Sequence, residues 1–203
     1  MSQVPTSGDR VVGLDLSEVD WYAADLSGVS FSDCRFGDAD LTECRAVGAA
    51  FDGCTFAGAR LNATRWQATA FVACQFERTS CFDAAFDGCK LTGSRFASAT
   101  LRPLHVSGGD WSFVQLRGAD LQGLVFDSVR MSDIDLSATD LRGTTFRDCD
   151  LTRAELREAR LHGADLRGSR LAEADTSGLD LDGVRIDVAQ AVELAVHRGA
   201  VLE

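Results

Sequence analysis

The sequence predicts a solenoid, because one large apolar position recurs every five residues along most of the chain. Stepping by five from Leu16 to Ile186 gives 35 positions, and 32 of them are Leu, Phe, Trp, Ile, Val or Met. An α-helix repeats about every 3.6 residues and a strand every two, so neither sustains this spacing. A fixed short repeat is typical of solenoids. The large apolar position of each repeat is named position i below.

A second position, i−2, carries mostly small residues such as Ala24, Ala39 and Ala59. Positions i−1, i+1 and i+2 are mainly Asp, Arg, Ser, Thr and Gly, so two residues of every five are expected to face inward and three to face solvent. The seven cysteines include no CxxC pair, which argues against a zinc site or a disulfide framework. Cys81 occupies position i, and the other six occupy position i−2, where a buried thiol acts as a small apolar group: Cys34, Cys44, Cys54, Cys74, Cys89 and Cys149.

The repeat unit itself, as in Ala119-Asp120-Leu121 and Ala164-Asp165-Leu166, resembles that of the pentapeptide repeat proteins. The resemblance implies an all-β solenoid, a right-handed quadrilateral β-helix with four repeats and 20 residues in each coil. The sequence agrees with this coil length, because like residues recur 20 positions apart, as in the series Phe36, Phe56, Phe76 and Phe96. Pro103, followed by the large Leu104 at position i−2, is the one expected local distortion.

The two ends of the chain depart from the repeat. Residues 1–13 are polar and are expected to form a flexible N-terminal extension, with the β-helix spanning 14–186. Residues 187–203 are expected to form a short C-terminal α-helix and tail, with Asp187 as N-cap and Gly199 just past the helix end. The helix either caps the last coil of a monomer or joins two copies through its apolar residues, which with the tail are Val188, Ala191, Val192, Ala195 and Leu202.

Catalysis is not predicted. His105, His162 and His197 fall on different faces or coils, every cysteine is expected to be buried, and no phosphate-binding or nucleophile motif is present. We therefore expect no enzymatic activity, no cofactor and no bound metal.

The charge of the chain bears on its partner. A net charge of −11 argues against direct binding to nucleic acid or to an anionic membrane, and it favours a basic protein surface. No run of 18 apolar residues is present and residues 1–13 lack a signal-peptide core, so the expected compartment is the cytoplasm.

With 20 residues per coil, one corner of the solenoid would stack acidic residues along its length. They are Glu18, Asp20, Asp38, Asp40, Asp120, Asp140 and Asp180. Two interpretations stay open at this point. The column of like charges indicates a binding surface, since it helps folding little. Alternatively, Asp at position i−1 belongs to the repeat consensus and serves local hydrogen bonding.

Three segments resemble the branch of the family that confers fluoroquinolone resistance in mycobacteria: Leu101–Leu104, Gly118–Leu124 and Arg185–Val192. That resemblance implies a homodimer joined through the C-terminal helices, which mimics duplex DNA, binds and inhibits DNA gyrase, and protects it from quinolones. Some relatives need projecting loops for protection, and the unbroken repeat lacks them, so inhibition is the safer expectation. The alternative is a structural or protein-interaction repeat module with a different partner. Phe82 and Phe113 lie off position i and could add contacts to a partner. The alternative for Phe82 is a one-residue shift that buries its ring in place of Cys81.

Overall fold

The chain forms a parallel β-solenoid followed by one short helix in a computed structural model, which describes residues 3–197 and 199–201. Leu202, one of the residues expected at the dimer contact, lies outside the described residues. Paired backbone positions are 20 residues apart, as in Phe31↔Phe51 and Phe126↔Phe146. The quadrilateral architecture with four repeats per coil is therefore confirmed.

The strands are three or four residues long, because each flat side of a coil accommodates only the centre of one repeat. Their bounds are β1 Arg10–Val12, β2 Ser30–Ser32, β3 Arg45–Val47, β4 Ala50–Asp52, β5 Arg65–Gln67, β6 Ala70–Val72, β7 Gln75–Glu77, β8 Ala84–Asp87, β9 Arg95–Ala97, β10 Leu104–Ser107, β11 Val125–Asp127 and β12 Thr145–Arg147. Three parallel sheets result, with the orders β1-β2-β4-β6, β3-β5-β8-β10-β11-β12 and β7-β9. Single bridges such as Asp20↔Asp40 extend the pairing between coils where no strand is assigned.

The interior is filled by the i and i−2 side chains, as the repeat predicts. In its N-terminal half, phenylalanine rings stack from coil to coil: Phe31 on Phe51 at a centroid distance of 4.9 Å, and Phe51 on Phe71 at 4.7 Å, with nearly parallel planes. Beyond Trp111 the same positions are mostly leucines, all buried except the partly buried Leu181. All seven cysteines are buried and unbridged, which confirms their role as interior residues. Burial of a Phe or Leu side chain contributes about 1.5–3 kcal/mol, so this continuous interior is the main stabilising feature.

The solenoid begins earlier than expected. β1 pairs with β2 in the register Val11↔Phe31, so residues 10–12 belong to the first coil and not to an extension that ends at residue 13. Val11 occupies position i, five residues before Leu16, and it packs against the core. Asp9 closes the preceding turn by accepting a hydrogen bond of 2.7 Å from the Thr6 N–H.

The expected distortion at Pro103 is present. On this side of the coil Ser80 is bridged to Thr100, and the next bridge joins Asp120 to Asp140, so within the described pairings the ladder is interrupted between Thr100 and Asp120. Leu104 is buried at position i−2, where the preceding coil carries Ala84 and the following coil carries Leu124.

Helix α1, Val188–His197, closes the C-terminal end of the solenoid. Asp187 caps it as predicted: its carboxylate accepts from the Gln190 N–H at 3.0 Å, and its own N–H donates to the Gln190 side chain at 2.9 Å. The Gln190 amide also donates to the Ser169 carbonyl at 2.6 Å, which fastens the helix to the last coil. Within the described part of the chain, no helix has the length and apolar character needed to cross a membrane.

Candidate partner-binding surface

One side of the solenoid collects most of the predicted site residues. Its interior is lined by the column of i residues that includes Leu41, and it is named the Leu41 face. Its outward i−1 residues form the column Asp20, Asp40, Arg60, Ser80, Thr100, Asp120, Asp140, Arg160 and Asp180. Parallel bridges join Asp20 through Thr100 in one run and Asp120 through Arg160 in another. Glu18 and Asp38 stand at the adjoining corner, so the structure brings the N-terminal acidic residues together as expected.

At the N-terminal end of this face the carboxylates outnumber their cations, although the charge of Arg60 acts on Asp20 and Asp38 as well as on Asp40. Among the described residues, Glu18, Asp20 and Asp38 take part in no ion pair, and Glu18 and Asp38 occupy the left-handed turn position with φ of 58° and 52°. The Asp38 carboxylate leans over Gly58, where an added Cβ would lie only 2.2 Å from its Oδ1 atom. Because stacked coils are about 4.8 Å apart, these carboxylates form a dense negative cluster. With Asp40 they are named the acidic corner.

Asp40 is the partly neutralised member of the acidic corner. Its carboxylate accepts a hydrogen bond of 2.8 Å from Arg60, one coil further along. This guanidinium, together with hydrogen bonds from Thr42, lowers the pKa of Asp40 to about 2. Asp40 therefore stays ionised at any physiological pH.

Sequence reasoning missed one acidic residue of the same face. Glu43 lies beside the exposed ring of Tyr22, and the hydrogen bond between them raises the pKa of the tyrosine. The sequence does carry the signal, because Glu43 takes the i+2 turn position of the Leu41 repeat, one coil beyond the repeat that carries Tyr22.

Further along the face, the predicted acids are tied to arginines. Both carboxylate oxygens of Asp120 accept hydrogen bonds from Arg102, at 2.9 and 2.8 Å. Asp140 is buried and pairs with Arg142 at 2.7 Å and Arg160 at 2.8 Å. Arg142 foremost holds the pKa of Asp140 below its usual range. At these two sites the local structural interpretation of the aspartates is the better supported one.

Asp180 lies apart from the bridged run, which ends at Arg160 in the described pairings. Its carboxylate accepts a hydrogen bond of 3.0 Å from the Asp182 N–H, which closes the turn. Asp180 therefore shares the column with Asp40 but lies seven coils away from it, far from the acidic corner.

Two aromatic side chains stand on the outside of the rod. Phe82 is 53% exposed and Phe113 is 56% exposed. Cys81 is completely buried, so the inward shift of Phe82 in place of Cys81 does not occur.

The C-terminal helix exposes apolar side chains. Val188 is 81% exposed and Val192 is 40% exposed, while Ala191 is also on the surface and Ala195 is partly buried. Leu194 points the other way and is buried against the solenoid. The helix thus covers the last coil on one side and leaves a row of valines uncovered on the other.

The interior thiols are poorly suited to nucleophilic chemistry. Burial raises the pKa of Cys44 to about 12 and the pKa values of Cys89 and Cys149 to about 11. Within the described residues, no group of three or more His, Cys, Asp or Glu side chains is arranged to hold a metal ion.

The fold and the outward-facing charge define a β-solenoid protein built from five-residue repeats. The family model for pentapeptide repeats matches eight copies, within residues 13–42, 22–58, 34–65, 134–172 and 149–186. The chain belongs to the pentapeptide repeat family. A comparison with curated protein sequences found no significant match.

Solved structures of the same fold include QnrB1, described as a plasmid-mediated fluoroquinolone resistance protein. A trypsin-treated form of QnrB1 matches with a TM-score of 0.76 and 22% identity, over 96% of this chain and 97% of that chain. Full-length QnrB1 matches with a TM-score of 0.70 and 21% identity, over 94% of this chain and 100% of that chain. At this level of identity the likeness establishes a shared fold.

Proposed function

We propose that this protein is a non-enzymatic DNA mimic that binds DNA gyrase in the cytoplasm through the acidic corner and inhibits it. The observation that carries the proposal is the cluster of Glu18, Asp20 and Asp38, which take part in no ion pair among the described residues. Asp20 accepts a local hydrogen bond of 3.2 Å from the Tyr22 N–H, but mutual repulsion of the clustered carboxylates disfavours folding, which supports a role in binding. A basic partner surface fits that role.

The physical basis of the mimicry is the spacing of the charges. Duplex DNA carries one phosphate about every 3.4 Å along each strand. At the acidic corner each coil contributes two carboxylates, Glu18 and Asp20 and then Asp38 and Asp40, and coils are about 4.8 Å apart. Two carboxylates per coil correspond to about one per 2.4 Å, so over these two coils the charge density exceeds that of one DNA strand, on a rod narrow enough to enter a cationic groove. Binding of this kind weakens steeply as salt is added.

The relatives support the choice of gyrase. QnrB1 is a fluoroquinolone resistance protein of the same fold, and the segments Leu101–Leu104 and Arg185–Val192 resemble MfpA, the mycobacterial member of that functional group. The pairing in steps of 20 residues continues from Arg10 to Arg185 without an inserted loop among the described residues. Inhibition of gyrase is therefore the core of the proposal, and protection from quinolones is its secondary part.

A supercoiling titration tests the proposal. Purified protein at micromolar concentration should inhibit gyrase supercoiling at low salt, and a few hundred millimolar added potassium glutamate should abolish the inhibition. Adding a fluoroquinolone to a parallel cleavage assay tests protection separately. Unaltered supercoiling at low salt would refute the proposal.

We also propose that the protein is a homodimer joined through α1. The support is the row of uncovered valines on the helix, Val188, Val192 and Val196, since an apolar row on a soluble protein indicates a contact surface. Ala191, Ala195 and Leu202 belong to the same proposed contact. The Val192→Glu variant should have the molar mass of a monomer by light scattering. Arg117→Glu, far from the helix, is the control and should stay dimeric. A wild-type chain that is already monomeric would refute the dimer.

The competing function is a structural or interaction module with another partner. It is favoured by the arginine-tied aspartates Asp120 and Asp140, which need no external partner. Capture on immobilised gyrase separates the two functions, because only the gyrase-binding protein is retained in a salt-dependent manner.

A further inference from the structure

Phe82 is an apolar side chain that the repeat does not require. It occupies position i+1 on the Leu41 face, where the neighbouring coils carry Asn62 and Arg102. A half-exposed phenylalanine ring contributes little to folding at this position, because its predecessor Cys81 fills the interior. Large exposed apolar side chains on a rigid surface are typical of contact sites.

The backbone that carries Phe82 is firmly held. The Phe82 N–H donates to the Asn62 side-chain carbonyl at 3.2 Å, and the Ser80 hydroxyl donates to the same oxygen at 2.6 Å. The ring is therefore presented from an ordered position, and a partner that covers it loses little conformational entropy.

The polar groups around Phe82 are already paired with one another. Asp83 receives hydrogen bonds from Arg65 at 3.0 Å and contacts His105 at 3.3 Å. On the next coil Arg102 is committed to Asp120. An apolar centre within a rim of satisfied polar groups is the usual anatomy of an interaction hot spot.

Phe82 shares its face with the acidic corner. The bridged run Asp20↔Asp40↔Arg60↔Ser80 places it two coils beyond Asp40 and three beyond Asp20, a rise of about 10 and 14 Å along the rod axis. One side of an ordinary protein interface covers about 800 Å², or roughly 30 Å across, so a single partner surface spans both features.

We infer that Phe82 is the apolar anchor of the partner-binding surface, and that the partner presents an apolar pocket about 10–14 Å along the rod axis from the cationic side chains that bind the acidic corner. The inference rests on the proposed gyrase binding and adds to it a contact that does not depend on charge. Charge complementarity selects the partner's basic groove, and the ring then fixes the position of the rod along that groove.

Phe113 offers a matched control. It is as exposed as Phe82, but it belongs to the opposite side of the coil, in the repeat built on Trp111. Removing either ring deletes a similar exposed area and leaves the interior untouched, so Phe82→Ala and Phe113→Ala should both fold, with unchanged circular dichroism. Phe82→Leu keeps an apolar group at the site.

The test is the affinity of each variant for gyrase by biolayer interferometry, at two salt concentrations. We expect Phe82→Ala to weaken binding about tenfold, equivalent to 1.4 kcal/mol, with the salt dependence of the wild type. Phe82→Leu should recover most of the affinity, and Phe113→Ala should stay within twofold of the wild type.

The inference is overturned if the wild type binds and Phe82→Ala binds equally well, or if Phe113→Ala loses as much affinity as Phe82→Ala. Gyrase binding itself survives either result. A wild-type protein that does not bind gyrase refutes the proposed function, and with it the role of Phe82.

Discussion

Two bands of the rod carry the same net charge of −7 but present different surfaces. Residues 9–52 hold ten acidic and three basic residues, and residues 110–203 hold 18 acidic and 11 basic residues. In the first band Glu18, Asp20 and Asp38 remain outside the ion pairs that the structure describes. In the second band the carboxylates of Asp133, Asp140 and Asp165 pair with arginines at 2.7 Å, although Glu158 and Glu173 also join none of the described ion pairs. The surface a partner meets therefore depends on how acids are paired and not on their sum.

The difference has a local cause in the repeat. In Asp140-Leu141-Arg142 and Asp165-Leu166-Arg167, the outward residues on either side of the leucine are an acid and an arginine, which pair within one repeat. The corresponding repeats at the N-terminal end read Asp20-Trp21-Tyr22 and Asp40-Leu41-Thr42, with no cation at i+1. An arginine at i+1 thus marks a neutralised aspartate, whereas an aspartate without it is neutralised only where another repeat supplies the arginine, as Arg60 does for Asp40 and Arg102 for Asp120.

The largest expected effect comes from reversing charge in the first band. Glu18→Lys combined with Asp38→Lys should weaken gyrase binding about a hundredfold at low salt, because two carboxylates of the acidic corner become repulsive. The matched control, Glu158→Lys with Glu173→Lys, makes the same change at exposed left-handed turn positions of the second band. Pull-down titrations should show the control within about threefold of wild type. Equal losses in the two variants would mean that only net charge matters.

The free energy of unfolding should also distinguish a paired aspartate of the second band from an unpaired one of the first band. Asp140→Ala leaves Arg142 and Arg160 facing one another without their shared carboxylate, and should lower the free energy of unfolding by about 2 kcal/mol. Asp20→Ala removes no ion pair and should change it by less than about 0.5 kcal/mol. Urea denaturation followed by circular dichroism measures both. If Asp140→Ala proves as stable as wild type, the ion pairs of Asp140 with Arg142 and Arg160 do not stabilise the fold.

The smallest expected effect concerns pH, at the one paired member of the acidic corner. Asp40 has its pKa lowered to about 2, so its stabilisation is complete above its ordinary pKa of 3.8 and is lost as pH falls toward 2. Since the side chain is partly exposed, the contribution is discounted to about 1 kcal/mol. Asp40→Asn should be less stable than wild type by this amount at pH 7, and the difference should shrink between pH 4 and pH 2. A constant difference across that window would assign the loss to packing.

The interior of this fold could be predicted from the sequence almost completely, because buried positions repeat with a fixed phase. Leu41, Phe51 and Cys54 are inside for reasons visible in the spacing alone, and Asp187 caps α1 as its residue type predicts. The sequence predicts too late a start for the solenoid, because the polar composition of residues 1–13 obscures the single in-phase residue Val11, which pairs with Phe31.

The electrostatic state of the surface was less accessible. The column Asp120, Asp140 and Asp180 was visible, but whether each carboxylate is available depends on arginines at other positions of the same or the next coil. Arg102 reaches Asp120 from a distorted segment that no consensus repeat describes. Side-chain reach of this kind is set by rotamers and local backbone displacement, neither of which the repeat specifies.

The 20-residue period fixes the distances between surface residues on one face of the rod in steps of one coil. Removing residues 53–72 would bring Phe82 one coil, about 4.8 Å, closer to the acidic corner, and both would remain on the same face. Removing only five residues from that stretch would instead turn every later residue by a quarter revolution and send the ring to a neighbouring side. The distance between the acidic corner and the Phe82 ring can therefore change in evolution only by whole coils. A partner that binds both features must match one of a few discrete distances.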